Sequence, residues 1–153
     1  MSEKIDYIKG SEEKIKFRLP TREEFESLIM HFARWSKEKR GIEVLNDSMD
    51  ILFLPAKGYY SNTSNHTSSG FWGYYWSSTM REANSKYAIH LAFGAKGKDV
   101  YSDYFDYRLS VRLVSDTPFD DGVKFGEIWW KPENEDGYYS WTEAMEKFNN
   151  KNE

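Results

Sequence analysis

The chain has 153 residues, a length that suits a single domain. Lysine and arginine total 21 against 25 aspartate and glutamate, a net charge of −4 that argues against nucleic-acid binding through phosphates. The absence of cysteine excludes disulfides, thiolate metal sites and cysteine nucleophiles. Aromatic residues make up 18% of an otherwise polar chain, and such residues are typical of half-buried cores and recognition surfaces.

Residues 1–16 are charged and weakly patterned, and we interpret them as an N-terminal arm. The chain shows no hydrophobic signal region and no apolar run of membrane-spanning length. The sequence therefore predicts a soluble chain without membrane insertion and without an export signal of its own. It leaves the localisation open.

The first predicted helix begins with a capping box, in which Thr21 is the N-cap and Glu24 follows three residues later. Its apolar residues recur at helical spacing and predict one buried face: Phe25, Leu28, Ile29 and Phe32. The helix is expected to fray through residues 35–40 and to end at Gly41. A second capping box, Ser140 with Glu143, predicts a last helix that carries Ala144, Met145 and Phe148.

Alternating or short apolar runs predict the strands at 51–55, 74–79, 87–93, 109–113 and 125–130. A polar loop over residues 61–70 follows the first of them. Two short helices with five or six short strands predict an α+β domain. Four aromatic residues of the central block are interpreted as core residues: Trp72, Tyr74, Tyr75 and Trp76.

Four blocks of residues resemble a known bacterial family. They are Phe17-Arg18-Leu19-Pro20-Thr21 with Glu24, Leu54-Pro55-Ala56-Lys57-Gly58-Tyr59, Tyr75-Trp76-Ser77-Ser78-Thr79 and Arg108-Leu109-Ser110-Val111-Arg112-Leu113-Val114. Over residues 15–115 this order resembles the Fibrobacter succinogenes major paralogous domain group, whose relatives are bacterial lectin-like domains. The resemblance implies a C-type lectin-like fold with a small, mostly antiparallel twisted sheet and long loops. That fold hosts sugar binding, protein binding and catalysis, so no single function follows from it.

The C-terminal segment departs from the order of elements that the resemblance implies. Residues 123–150 look like the family's opening strand–helix unit but come after the Val-Arg-Leu-Val strand. We favour a circular permutation in which 123–150 completes one domain spanning 1–153, with residues 17–115 as its family-like core. An element swapped onto a neighbouring copy and the start of a second, truncated unit are the alternatives, and self-association stays open.

The segment 99–107 is the first candidate for ligand binding because aromatic rings with polar tips alternate there with acidic and hydroxyl groups. The candidate residues are Tyr101, Ser102, Asp103, Tyr104, Asp106 and Tyr107. An edge strand with half-buried aromatic side chains explains the same composition. The loops 61–69 and 80–86 add hydrogen-bonding candidates, namely Asn62, Asn65, His66 and Asn84.

Metal and enzyme signatures are weak in this sequence. The lectin-like resemblance raises calcium, through which many sugar-binding lectin folds bind. Asp116, Asp120, Asp121, Asp103 and Asp106 could supply oxygen ligands, but a solvated acidic turn explains them better, and no cofactor is expected. The three histidines lack metal-ligand spacing, and His90 is interpreted as a packed or surface residue. Nucleophile-elbow, phosphate-loop and dinucleotide motifs are missing from the sequence, so we expect no enzyme.

The sequence therefore predicts a non-catalytic module that recognises a glycan or a protein on a cell surface through aromatic-rich loops. A structural or adhesive bacteriophage virion protein, such as a decoration or tail component, is the alternative function. An unrecognised enzyme ranks third. The ligand, the host and the oligomeric state stay open.

Overall fold

The fold is seen in a computed structural model of the chain, which describes residues 15–61 and 65–149. Strands make up 43% and helices 12% of the structure, and the strands form four small, mostly antiparallel sheets. The prediction of an α+β, C-type lectin-like fold is therefore wrong, because the fold is predominantly β. Most of the predicted N-terminal arm, residues 1–14, lies outside the described residues.

Within residues 15–61 and 65–149, two helices and eleven strands follow one another. The helices are α1 (Arg22–Ile29) and α2 (Trp141–Phe148). The strands are β1 (Ala33–Ser36), β2 (Gly41–Leu45), β3 (Ile51–Pro55), β4 (Tyr59–Tyr60), β5 (His66–Thr67), β6 (Trp72–Met80), β7 (Tyr87–Gly94), β8 (Gly97–Tyr104), β9 (Val114–Ser115), β10 (Val123–Phe125) and β11 (Ile128–Trp130). The sheets have the orders β1-β2-β3, β4-β5, β6-β7-β8 and β10-β11-β9.

Both predicted helix starts are confirmed. The Thr21 and Ser140 side chains accept hydrogen bonds from the N3 backbone N–H groups, and Glu24 and Glu143 accept from the N-cap backbones. These reciprocal bonds satisfy donors that a helix N-terminus otherwise leaves unpaired. Local sequence alone therefore determines where each helix begins.

The predicted length of the first helix is wrong. It ends at Ile29, and residues predicted to be its frayed end form the β1–β2 hairpin instead. The missed signal is a period of two, since Ile42 and Val44 face the core while Glu43 faces outward and pairs with Arg34 at 2.7 Å. Phe32, expected on the buried helix face, is 66% exposed just before β1.

Three strand predictions also change. The segment 97–104 is the edge strand β8, which confirms the edge-strand alternative over a loop for residues 99–104. Residues 109–113 form only isolated bridges beside Tyr75 and Tyr139, and a regular strand starts at Val114. The predicted strand 125–130 is a hairpin of β10 and β11, turned at Gly126 with a positive φ of 63°.

Two hydrophobic cores lie on opposite sides of the β6–β8 sheet. The first joins α1, β2, β3 and the inward face of β6–β8 with Phe125 and Trp130. The second joins Trp76 and Ala88 with the 109–113 segment and with Trp141 and Ala144 of α2. The C-terminal segment thus contributes buried residues to both cores, and β11 pairs directly with β9.

Arg112 ties several of these elements together from the interior. It is 1% exposed, and its guanidinium donates to the backbone carbonyls of Phe53 (2.8 Å) and Lys131 (3.0 Å) and to Asn134 Oδ1 (2.8 Å). Asn134 in turn donates to the hydroxyl of Tyr75 at 3.0 Å. Burial lowers the pKa of Arg112, and the guanidinium keeps its proton because an arginine side chain starts from a very high pKa.

Arg18 links the start of α1 to the end of β9. Its guanidinium binds Glu24 at 2.7 Å and Asp116 at 2.9 Å. Burial raises the pKa of Glu24, but hydrogen bonds from Arg18 and from the Thr21 backbone outweigh it and bring the pKa below its ordinary value. Hydrogen bonds from Arg18 lower the pKa of Asp116 as well.

This arrangement predicts an acid-sensitive contribution to stability. Because the folded-state pKa values are depressed, the contribution is complete above the ordinary values of 4.5 and 3.8 and disappears as pH falls through the folded-state values. Arg18→Met should lower the free energy of unfolding by about 1–2 kcal/mol at pH 7. The difference from wild type should shrink below about pH 4, as measured by urea unfolding between pH 7 and pH 3.

Arg22→Met is the matched control for Arg18→Met, because Arg22 pairs with Glu26 on an exposed helix surface. It should change the free energy of unfolding by less than about 0.5 kcal/mol. A wild-type advantage over Arg18→Met that stays constant down to pH 3 would contradict the assignment.

Candidate ligand-binding face

The register of the central sheet separates its residues into two faces. Tyr75 of β6 pairs with Leu91, which pairs with Val100, and these side chains belong to the first core. Alternate positions carry residues to the other side of the sheet. We call their outward part the aromatic face, formed by Trp72, Tyr74, His90, Ala92, Tyr101 and Asp103 and bordered by Tyr59 and Tyr107.

Trp72 forms a platform at one end of the aromatic face. Its indole covers the cross-strand partner Gly94, where an added Cβ would come within 3.0 Å of the ring. One ring face thus rests on the strand while 40% of the residue stays exposed. The next position on this face is Gly97, where an added Cβ would meet no atom within 4 Å. The two glycines leave an open shelf beside the indole.

The segment 105–109 carries the chain from edge strand β8 across the sheet to the far side of β6. Phe105 stacks on Trp141 at 4.4 Å, and the Ser110 N–H donates to the Tyr74 carbonyl at 3.0 Å. This crossing places Trp76 in the second core, whereas Trp72 and Tyr101 remain in contact with solvent. The aromatic face is therefore bounded by the crossing segment.

Stacked tyrosines line that boundary. The Tyr59 ring contacts Tyr74 edge-on at 4.9 Å and stacks on Tyr107 at 5.7 Å. Tyr59 is held there by β4, since Gly58 bridges Gly73 of β6. Such packing holds the rings with one surface against the protein and keeps them rigid for a ligand.

A buried imidazole supports the carboxylate of the face. His90 is 2% exposed, and its Nε2 lies 2.9 Å from Oδ2 of Asp103, whose side chain is 34% exposed. Because a carboxylate only accepts hydrogen bonds, Nε2 is the donor. His90 also lies within 5.6 Å of the Tyr74 ring and 6.4 Å of the Tyr101 ring. The bond from His90 therefore holds the Asp103 carboxylate in one orientation.

The electrostatic environment of the face is negative. Burial raises the pKa of Tyr107, and the charge of Asp103 raises it further, with smaller effects of Tyr59, Asp106 and Tyr104. Burial, then Tyr59 and, to a lesser extent, Asp103 raise the pKa of Tyr74, although a hydrogen bond from the Ser68 side chain opposes the shift. With their pKa values raised, the phenols of Tyr74 and Tyr107 are neutral donors at physiological pH.

The family relationship of the chain follows from one matching family model. A family model described as a domain of unknown function, DUF8237, matches residues 32–114. The chain belongs to this family. Nothing matches among curated proteins or among solved structures. The DUF8237 match covers β1 to β8 and so contains the whole aromatic face.

The DUF8237 domain brings together some of the predicted ligand-binding residues. Tyr101 and Asp103 lie on the aromatic face and Tyr107 on its border, with exposed Asp106 beside it. Ser102 pairs with Ile89 and belongs to the opposite side of β8. Tyr104 also alternates to that side, where it stacks on Tyr87 at 4.4 Å. The six residues therefore lie on both sides of β8, since a strand sends neighbours to opposite faces, although the Tyr104 ring still comes within 6.5 Å of the Tyr107 ring.

The predicted residues of the other two loops lie elsewhere in the domain. Asn84 is exposed in the β6–β7 turn with a φ of 61°. His66 stacks on Tyr60 at 4.5 Å and lies 3.1 Å from the Tyr138 hydroxyl, so it belongs to a separate aromatic group. Asn65 is exposed between β4 and β5, and Asn62 lies outside the described residues.

Sequence reasoning missed four residues of the face and its border: Tyr59, Trp72, Tyr74 and His90. The core interpretation is confirmed for Tyr75 and Trp76, which are fully buried, and is wrong for the half-buried Tyr74 and the exposed Trp72. The sequence did contain a signal for this face, namely the small residues Ala88 and Ala92 on either side of His90. Small side chains on one strand leave room above them for rings from the neighbouring strand.

A shallow cleft of about 200 Å³ lies between β1, β2 and the β7–β8 turn, where it borders the shelf at Gly94 and Gly97, at the other end of β8 from Asp103. In the described parts of the chain, no group of three or more histidine, aspartate or glutamate side chains is arranged to hold a metal ion. Neither of the described helices is long and apolar enough to span a membrane.

Proposed function

We propose that this chain is a non-catalytic binding module whose aromatic face recognises a glycan on a cell surface. The observation that carries the proposal is the alternation of exposed rings with a fixed carboxylate. Trp72 and Tyr101 are 40% and 56% exposed although each is anchored in a strand of the central sheet. Contiguous exposed rings on a rigid sheet are typical of recognition surfaces.

The dimensions and chemistry of the face fit a short oligosaccharide. From Gly97 to Asp103 the edge strand covers about 20 Å, at roughly 3.3 Å per residue. Ring surfaces stack on the apolar C–H face of a pyranose, while Asp103 and the tyrosine hydroxyls bond its hydroxyl groups. A protein ligand would use the same rings and is the alternative if no glycan binds.

The geometry favours binding over acid–base catalysis. A general acid or base must reach the proton that it transfers. The imidazole of His90 is buried below the face, and its Nε2 is occupied by Asp103. A ligand on the face therefore contacts the carboxylate but not the imidazole, which acts as a support.

The proposal predicts that ring removal abolishes binding without unfolding the chain. Trp72→Ala and Tyr101→Ala should each weaken binding of the best neutral glycan from an array by at least about tenfold. Tyr101→Ala should lower the free energy of unfolding by less than about 1 kcal/mol, because the ring is more than half exposed. Calorimetric titration and urea unfolding measure the two quantities.

Trp129→Ala is the control for Trp72→Ala, since Trp129 is a half-buried tryptophan on β11, in a different sheet. Its affinity should equal that of wild type. Gly97→Val tests the open shelf without removing any side chain, because its Cβ meets no neighbour. It should also weaken binding at least about tenfold. Absence of binding to every glycan tested, or ring variants that bind normally, would overturn the proposed function.

A further inference from the structure

We infer that the aromatic face discriminates by charge: it accepts neutral glycans and rejects those that carry carboxylates. This inference rests on the proposed function and adds the class of sugar. Asp103 is the residue that determines the specificity, and His90 is the positioning residue that holds it.

The strand positions that alternate onto this face carry negative charge and no positive charge. On β8 they are Gly97, Asp99, Tyr101 and Asp103; on β6 and β7 they include Trp72, Tyr74, Ala88, His90, Ala92 and Gly94. Lys98 pairs with Phe93 and therefore alternates to the opposite side. Asp106 adds a further exposed carboxylate at the border beside Tyr107.

Arg40 contacts the sequence neighbour of Trp72, Arg108 follows Tyr107, and both guanidinium groups pack on rings outside the face. The Arg40 guanidinium lies 4.9 Å from the Phe71 ring and 5.9 Å from the Trp35 ring, towards the β1–β3 sheet. Arg108 lies over Tyr60, whose ring packs on His66 rather than on Tyr59 or Tyr74. Neither guanidinium therefore lies between the rings of the face and an incoming sugar.

Asp103 cannot turn away from an anionic ligand without losing its support. One of its oxygens is bonded to the buried Nε2 of His90 at 2.9 Å. His90 itself is confined by Tyr74, by Trp76 at 6.0 Å and by the β7 backbone. A carboxylate held in this way accepts hydrogen bonds from sugar hydroxyls but repels a second carboxylate at short range.

Fixed like charge is an effective means of discrimination, because an excluded ligand must lose solvation without gaining a partner. A neutral sugar donates hydroxyl protons to Asp103. Its uronate counterpart, in which the C6 hydroxymethyl group is a carboxylate, has the same ring and stacking surface. The two forms differ only at C6, where the uronate gains a negative charge and loses a hydroxyl donor. The Asp103→Asn variant and the salt dependence isolate the part of the preference that is due to charge.

The experiment uses the full chain and pairs of hexasaccharides, each a neutral glycan and its C6-oxidised uronate form, titrated at pH 7 in low salt. The neutral member should bind at least about tenfold more tightly than the uronate. Asp103→Asn, which keeps the shape, should reduce that preference to less than about threefold. Raising the salt to about 1 M should also reduce it, since the Debye length falls to about 3 Å.

Two control variants separate positioning from structure. Asp121→Asn removes an exposed charge in the turn between β9 and β10 and should leave the preference unchanged. His90→Gln keeps a donor near Asp103 but loses the fixed ring. It should reduce the preference for the neutral glycan over the uronate by a larger factor than it reduces the affinity for the neutral glycan itself. If the affinities for the neutral glycan and for the uronate change by the same factor, His90 is merely structural and its positioning role is overturned.

The outcomes for the proposed function and for the charge inference are distinguishable. If neutral and uronate members bind wild type equally through Trp72 and Tyr101, the glycan function stands and charge discrimination is overturned. If the preference survives in Asp103→Asn, the assignment of specificity to Asp103 is overturned. If neither member of any pair binds, the proposed function itself fails.

Discussion

Trp130→Ala is expected to lower the free energy of unfolding by about 3–5 kcal/mol. Trp130 is 1% exposed on β11 and packs on Phe25 of α1 with ring centroids 5.6 Å apart. Removing the indole leaves a cavity between the C-terminal hairpin and the first helix. This loss should lower the midpoint of thermal unfolding by roughly 6–20 °C. It is a large share of the total stability of a domain of this size, which is about 5–15 kcal/mol.

The adjacent residue supplies the control for this prediction. Trp129 lies on the same strand but points to the other side, where the Lys124 ammonium lies 5.1 Å from its ring. Trp129→Ala should cost less than about 1.5 kcal/mol, since the residue is only partly buried. Equal losses for the two variants would show that the hairpin is not held by its inward tryptophan. Urea unfolding followed by circular dichroism measures both losses.

Arg112→Met is expected to destabilise the fold by a similar amount, about 3–5 kcal/mol. Methionine fills much of the same volume but leaves the carbonyls of Phe53 and Lys131 and the side-chain oxygen of Asn134 without their donor. An unsatisfied buried acceptor costs about 1–3 kcal/mol. Equilibrium urea unfolding measures the loss.

Arg112→Lys separates charge from geometry in that network. A lysine ammonium keeps the charge but lacks the planar fork that reaches three acceptors in different directions. We therefore expect a loss of stability of about 2 kcal/mol or more with lysine as well. Full retention of stability by Arg112→Lys would mean that charge alone matters, and a stable Arg112→Met would show that the acceptors find other donors.

The two stability predictions concern residues that short-range patterns describe poorly. Arg112 falls within a run of alternating apolar residues, which predicted a strand from 109 to 113 but not a buried guanidinium. Its acceptors lie 59, 19 and 22 positions away in sequence. No periodicity links such positions, so only the packing of β3 against the 131–134 bend determines the role of this arginine.

The candidate face shows the same division. The block 74–79 and the alternation over 87–93 predicted β6 and β7, and the polar–aromatic composition of 99–107 marked Tyr101 and Asp103 as candidates. The composition did not distinguish Tyr104 from Tyr101, because the difference depends on the register of β8 against β7. A shift of one residue would exchange the two faces.

The sequence by itself determined the two helix starts, most of the central strands and the exclusion of cysteine chemistry. The helix starts and the strands depend on residues a few positions apart, such as Thr21 with Glu24 or Leu91 with Phe93. The exclusion of cysteine chemistry depends on composition alone. The tertiary structure alone decided that the fold is predominantly β and that Tyr59, Tyr74 and Tyr107 meet around a carboxylate supported by His90. The physical reason is that burial and strand pairing between distant segments override local preference, as they do where the expected helix end becomes β1.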